Sequence, residues 1–272
     1  MTQCTQSSFE FEAHFSRRVV AGIDGGTITS DAGALLLRQV DRRIGLLPRL
    51  ARCFSDFRNP AFISHEVGEM VSQRVYALAL AYEDLNDHVQ LRNDPLMGLL
   101  AGKREPGAAL ASKSTLCRLE RTPEAGAATD RYKKIRYDAA AIDRLLVDMV
   151  LESRTEAPAR IVVDLDATDT PLHGQQEGRF FHSYYDHYCY LPLYIFAGDQ
   201  IVGVRLREAN QDASAGSVEE TARIVAQIRA HWPKTQIVLR ADSDSRHVDA
   251  PPRPTSRPTS SSCSPVSAIE PS

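Results

Sequence analysis

No stretch of this sequence holds the ~18–20 consecutive apolar residues that a bilayer-spanning helix needs. The first residues, Met1 to Arg18, carry Glu10, Glu12 and His14 and lack the apolar core of a signal peptide. Cysteine is sparse and scattered: Cys4, Cys53, Cys117, Cys189 and Cys263 are odd in number and never form a C-x-x-C pair. That excludes a disulfide framework and a zinc ribbon, and it fits a reducing cytoplasm. An excess of either charge is lacking too. The formal net charge of −3 gives no global attraction to a polyanion, so any basic surface has to be local. There is no internal repeat. What remains is a soluble chain of 272 residues, 43% hydrophobic, with room for one large domain or two modest ones.

The pattern predicts a mostly helical first region over residues 1–154. Arg18–Ile23 reads as a strand leading into the turn Asp24-Gly25-Gly26. Ser30 and Asp31 could cap a helix carrying Leu35, Leu36, Leu37 and Val40, with Gly45 near its end. From Ser64 onward Val67, Met70, Val71, Val75, Leu78, Ala79 and Tyr82 recur at spacings of three and four, which predicts a helix with one buried face. A later helix carries Ile142, Leu145, Leu146, Met149 and Val150. Between them lies a glycine-punctuated, locally basic stretch, 99–136. Lys113-Ser114-Thr115-Leu116-Cys117-Arg118-Leu119 within it has the pattern of a DNA-recognition helix, with a solvated helix face as the alternative. Lys113, Arg118, Arg121, Lys133 and Lys134 are its candidate DNA contacts.

A second region, 159–243, opens with the strand Ile161 to Asp166. Two β-rich runs follow, Tyr184–Phe196 and Ile201–Leu206, joined by a Gly198-Asp199 hairpin turn, and Pro192 marks an edge or bulge. The five tyrosines of the first run read as a sheet face rather than a base-stacking platform. Next comes a helix with a Ser217/Glu220 capping box and an apolar stripe of Val218, Ala222, Val225, Ile228 and Trp232, ended by Pro233. The strand Ile237 to Asp242 follows at once, so it should run parallel to a neighbour through a crossover. The fold class is therefore α/β. Three strands in a meander, a helix and a parallel strand is the order of the first part of an RNase H-like core.

Asp166 and Asp242 end the first and last of these strands. Carboxylates held rigidly at strand ends and brought together by a sheet form a cradle for Mg²⁺ or Mn²⁺, hard ions that take oxygen ligands. Two such ions ~3.5–4 Å apart serve phosphodiester cleavage by holding the attacking and leaving oxygens. Asp164 shares the face of Asp166 by period-two alternation and is the reserve ligand. The plainer reading is that aspartates at strand ends cap turns.

The segments Asp164-Leu165-Asp166-Ala167-Thr168-Asp169, His173-Gly174-Gln175-Gln176, Tyr185-Asp186, Tyr188 to Tyr194, Asp212 to Gly216 and Leu239-Arg240-Ala241-Asp242-Ser243 resemble DDE-type transposases of bacterial insertion sequences. The nearest likeness is to the group-1 DDE transposase domain of insertion-sequence family 1380. It runs from about Val19 to Ser243. The resemblance implies binding of terminal inverted repeats, metal-dependent cleavage at their ends and joining to target DNA, by subunits acting as a homodimer. It makes Asp166 and Asp242 two members of the acidic triad and puts Thr168 and His173 beside the first. An alternative is a DNA-binding remnant without chemistry.

In that family the last strand continues into a longer core with a late glutamate. Here residues 244–272 turn to Pro, Ser, Thr and Arg, with Glu270 the only glutamate. That composition predicts a disordered tail, as a frameshift or truncation would leave, and hence an inactive chain without its third acidic ligand. Two weaker patterns compete. Ile23 to Asp31 has the look of a single phosphate loop of actin-like ATPases. His173, His182, His187 and Cys189 could suggest zinc, at spacings that match no tight ligand pair.

Overall fold

The computed structural model describes residues 8–23, 29–105, 107–122, 134–241 and 267–269. By its contacts the chain divides into two compact units, Met1–Ile142 and Asp143–Ser272.

The first unit opens with an antiparallel hairpin, β1 (Ser8–His14) and β2 (Arg17–Gly22), that the sequence pattern reveals only by half. Helices α1 (Ala34–Ile44) and α2 (Leu46–Arg52) share Gly45, whose φ of 69° closes the first helix in a left-handed cap that a side chain would strain. Neither Ser30 nor Asp31 caps α1: Gly33 holds that place without a side-chain bond. Of the four apolar residues that it carries as expected, only Leu35 is buried; Leu36, Leu37 and Val40 are exposed.

Strand β3 (Phe54–Asp56) precedes α3 (Val67–Ala79). The expected three-four stripe holds in the first half only: Val67, Met70 and Val71 are buried and Val75 is half-buried, but Leu78 and Ala79 face out and Tyr76 and Ala77 take the buried places. Short helices α4 (His88–Leu91), α5 (Pro95–Leu100) and α6 (Lys113–Glu120) pack around α3. Asp94 accepts from the amides of Leu96 and Met97 to start α5, and Ser112 accepts from Thr115 to start α6. Strand β4 (Ile135–Tyr137) pairs with β3.

Helix α7 (Ala139–Glu152) spans the division between the units. Its Val147, Val150 and Leu151 belong to the core of the second unit. There β5 (Arg160–Ala167) leads into a small three-stranded sheet of β6 (Thr170–Pro171), β7 (Phe180–His182) and β8 (His187–Tyr190). The run Tyr184–Phe196 is thus not one strand. It divides at Leu191-Pro192, where proline cannot donate to a ladder, into β8 and β9 (Leu193–Ala197), which lie in different sheets. Gly198-Asp199 turns β9 into β10 (Gln200–Arg205), and the ladder bulge falls between Ile201 and Gly203 rather than at Pro192. Helix α8 (Ser217–His231) crosses back to β11 (Gln236–Ala241), parallel to β5.

The main sheet has the order β10-β9-β5-β11, with a fifth strand, β12 (Ser267–Ile269), antiparallel at the edge of β11. The meander, helix and parallel strand foreseen from the sequence are all present. The tail is not wholly without structure, contrary to its composition: the open side of β11 offers unpaired backbone groups, and these three residues meet them.

One face of the sheet is covered. Ile161, Val163, Leu193, Ile195, Ala197, Val202 and Ile237 pack with α7 and with Ile224, Ile228 and Trp232 of α8. The stripe of α8 is rotated from the expected one, so that Val218 is 74% exposed while Ile224 is fully buried. The capping box does not form either. Gly216, at φ 73°, is the N-cap, and Ser217 donates to the carbonyl of Ser214. Glu220 instead accepts from Arg205 Nε at 2.7 Å and from Arg223 Nη2 at 3.0 Å.

Arg205 also grips Asp143 through both terminal nitrogens, linking α7, β10 and α8. Its pKa is held above the ordinary guanidinium value, first by the bond to Asp143. Arg205→Met should therefore destabilise the fold by about 1–3 kcal/mol, because it strands a mostly buried Asp143 carboxylate. A urea midpoint unchanged from wild type would refute this.

Candidate functional site

Strand β5 presents Ile161 and Val163 to the core, so alternation turns Val162, Asp164 and Asp166 to the other, half-covered face. The two aspartates on that face have different surroundings. Asp164 lies directly across the parallel ladder from Arg240 of β11, which donates to it from Nη2 at 2.9 Å and also from Nε. This two-pronged pair neutralises Asp164 and occupies both its oxygens.

Asp166, one residue before the end of β5, stands opposite Tyr194 of β9. It is exposed and has no ion pair among the described residues. As a free, anionic oxygen donor on a rigid strand it suits a hard divalent cation; Asp164, tied to a guanidinium, does not. Asp242 lies outside the described residues. The ladder is described as far as Ala241, which pairs with Leu165. Of the strand-end pair Asp166 and Asp242 the described residues thus include one, and among them no group of three or more His, Cys, Asp or Glu side chains could hold a metal. The residues of the zinc reading have other neighbours. His187 is paired with Asp169, His182 leans on Tyr185, and Cys189 is buried in β8.

Beyond Asp166 the chain enters the small sheet. The amide of Thr168 donates to the carbonyl of Pro192 at 3.3 Å, which keeps Thr168 next to the first strand's end. His173 is exposed, and no bond ties it to Asp166. The pair His187 Nε2 to Asp169 Oδ2, at 2.7 Å, joins the residues just after β5 to β8. Around it Tyr184 meets Tyr185 edge-on, and the guanidinium of Arg179 sits 4.5 Å from the ring centre of Tyr188. The sequence reading missed His187–Asp169 and Asp164–Arg240. The second was recoverable: Asp164 and Arg240 each lie two residues before a strand-ending aspartate, so pairing those ends in parallel sets them opposite each other.

The basic candidates lie in the first unit. Lys113 and Arg118 of α6 and Arg121 just past its end, with Lys134, line a largely apolar cavity of about 680 Å³ together with Met70 and Ile135. Leu116 and Leu119 anchor the other side of α6 in the core, which leaves the cations toward solvent. Lys113 donates to Asn86 Oδ1 at 2.8 Å. Arg58, on the same cavity, is already committed to Asp56. Lys133 lies outside the described residues, as do Asp24 to Ile28 of the glycine loop, so neither that candidate contact nor the ATPase resemblance has a described geometry. Among the described residues no helix is long and apolar enough to cross a membrane.

A family model described as the transposase DDE domain, group 1, matches residues 11–248. No curated protein and no solved structure matches the chain. The family match runs through both units, from the first hairpin past the end of β11, and so the chain belongs to the group 1 DDE transposases.

Proposed function

We propose that this protein is a transposase of an insertion sequence, in family 1380. It would bind the element's terminal inverted repeats and cut DNA in an RNase H-like core where Asp166 and Asp242 hold divalent metal. Family membership itself implies DNA as the partner and divalent ions in the chemistry. The observation that carries the finer reading is the sheet. A meander β5-β9-β10 is followed by α8 and then by β11, parallel to β5, and the free carboxylate Asp166 lies at the β5 end.

The described ladder ends with Ala241 opposite Leu165, one residue short of both aspartates, and this parallel register supports reading them as a ligand pair. Mg²⁺ or Mn²⁺ bound there would stabilise charge on the attacking and leaving oxygens of a phosphodiester. The protein's own part is to hold the carboxylates rigidly, to keep Asp164 out of the ligand set through Arg240, and to place Thr168 and His173 near the scissile strand. We assign the grip on DNA to Lys113, Arg118, Arg121, Lys133 and Lys134. The protein would act as a pair of subunits in the cytoplasm.

Strand cleavage of a duplex carrying the element's ends, measured with Mg²⁺ and with chelator, tests the catalytic half. Metal-dependent cuts at the ends support it and refute the expectation, drawn from the missing third acidic ligand, that this chain is inactive. Binding without cleavage under any metal condition would instead favour a non-catalytic DNA-binding role. The DNA half has its own test. Each phosphate contact adds about 0.9 to the slope of log affinity against log salt, so Arg118→Ala with Arg121→Ala should lower that slope by about 2 in fluorescence anisotropy. An unchanged slope, or binding indifferent to salt, would remove α6 from the interface.

A further inference from the structure

At the start of α6 a smaller cavity of about 370 Å³ is lined by His88, Arg92, Asn93, Ser112, Lys113 and Ser114, together with Val89. Among the described residues no carboxylate lines it. His88 is fully buried, and its protonation is legible from its neighbours. Gln73, also fully buried, accepts from the amide of Ala111 at 3.1 Å and donates to the carbonyl of Ala111 at 3.0 Å. These two bonds fix which end of the Gln73 amide is nitrogen.

That nitrogen also lies 3.0 Å from His88 Nδ1 and has one hydrogen left to give it. Nδ1 must then accept, so the neutral ring carries its proton on Nε2. Burial, and after it the charge of Arg74, hold His88 below its ordinary pKa against smaller opposing effects of Asp87 and Glu120, which favours this neutral form. Among the described residues Nε2–H is a buried donor with no partner, and Arg92 Nε is a second one.

The first turn of α6 adds more donors. Ser112 closes onto Thr115 and Leu116, while the amides of Lys113 and Ser114 have no carbonyl of their own helix to reach. Leu110 donates to the carbonyl of Arg92 at 2.8 Å, which holds Arg92 beside this helix start. His88 and Arg92, which carry these two orphaned donors, line one recess together with the start of α6, and among the described residues no acid lines it. Such a set selects an anion with several acceptor oxygens.

We propose that His88, Arg92 and the N-terminus of α6 form a seat for one backbone phosphate of DNA. The assignment rests on the DNA-binding reading above. It also has an argument of its own: Lys113 and Ser114 line both cavities, so a strand contacting Arg118 and Arg121 on one side of α6 passes the helix start. The seat orients the duplex without reading its sequence, since phosphate contacts carry register and not base identity.

The test uses the full chain labelled with ¹⁵N-histidine, with the His88 imidazole signals assigned by their loss in His88→Gln. A duplex carrying the element's ends is added at low salt, inorganic phosphate is added to a second sample, and metal-dependent cleavage of the same duplex is followed in parallel. The expected result is a shift of the His88 Nε2 signal with slowed exchange of its proton on adding DNA, with little response to millimolar phosphate. Arg92→Met should lower the salt slope of DNA binding by about 0.9, whereas Val89→Ala, on the same cavity, leaves it unchanged.

DNA binding with a silent His88 and an unaltered slope in Arg92→Met overturns the seat and leaves the transposase reading intact. An equal response to inorganic phosphate overturns DNA as its ligand. A responding His88 with no cleavage upholds the seat and counts against the catalytic reading alone. If the duplex fails to bind and His88 stays silent, the seat falls together with the basic surface.

Discussion

Asp166→Ala should reduce metal-dependent strand cleavage by roughly 10²–10⁴-fold, the loss of several kcal/mol of charge stabilisation at the reacting phosphate. Its thermal stability should hardly change. The side chain is exposed and has no ion pair among the described residues, and surface substitutions of that kind usually stay within about 0.5 kcal/mol. Asp164→Asn should behave in the opposite way. Cleavage should fall less than about tenfold, while loss of the Arg240 pair costs up to about 1 kcal/mol, little because Arg240 is largely solvent-exposed. The contrast between two aspartates two residues apart is what makes the experiment decisive. Asp242→Ala should match Asp166→Ala. Full cleavage by Asp166→Ala, in preparations free of other nucleases, would end the assignment.

The largest effect on stability is expected at Ile228, which is 1% exposed between α8 and the main sheet. Ile228→Ala removes buried methyl groups and leaves a cavity that rigid strands cannot close, at a cost of about 2–5 kcal/mol. Val218→Ala, one helical face away and open to solvent, should cost under about 0.5 kcal/mol. Denaturant unfolding followed by circular dichroism measures both. A Val218 variant as damaged as the Ile228 variant would mean that α8 presents a different side to the sheet.

Much of the second unit could be read from local pattern. The strands around Ile161, Leu193 and Ile237, the Gly198-Asp199 turn and the span of α8 each carry their signal within a few residues. Charge pairing does not. Arg205 meets Asp143 across 62 positions and Arg240 meets Asp164 across 76, distances at which no periodicity acts. Glu220 shows the result: beside Ser217 it looks like a cap, yet two arginines claim it, since bonds to a cation outweigh one to an amide.

Helix rotation was equally hidden. Val218 and Leu36 are apolar at plausible spacing, but Ile224 and Leu35 win the core once the neighbouring layer is in place. The hairpin β1–β2 escaped because its first strand is mostly exposed and mixes glutamates with phenylalanines. Of the site, Asp166 was visible as a strand-end acid. That it is free while Asp164 is neutralised needed the geometry of the sheet.

The clasp between Arg240 and Asp164 bears on how the sheet assembles as well as on what it does. Strands of alternating valine, isoleucine and leucine can slide past one another by two residues and still bury the same kinds of side chain. If β11 slid two places along β5 in one direction, Arg240 would land on Asp166 and quench the one open carboxylate. In the other direction it would land on Val162. Either misalignment abandons Asp164 without a counter-charge. The same ion pair that silences one aspartate therefore keeps the neighbouring one available, by penalising the alignments in which the two would trade places.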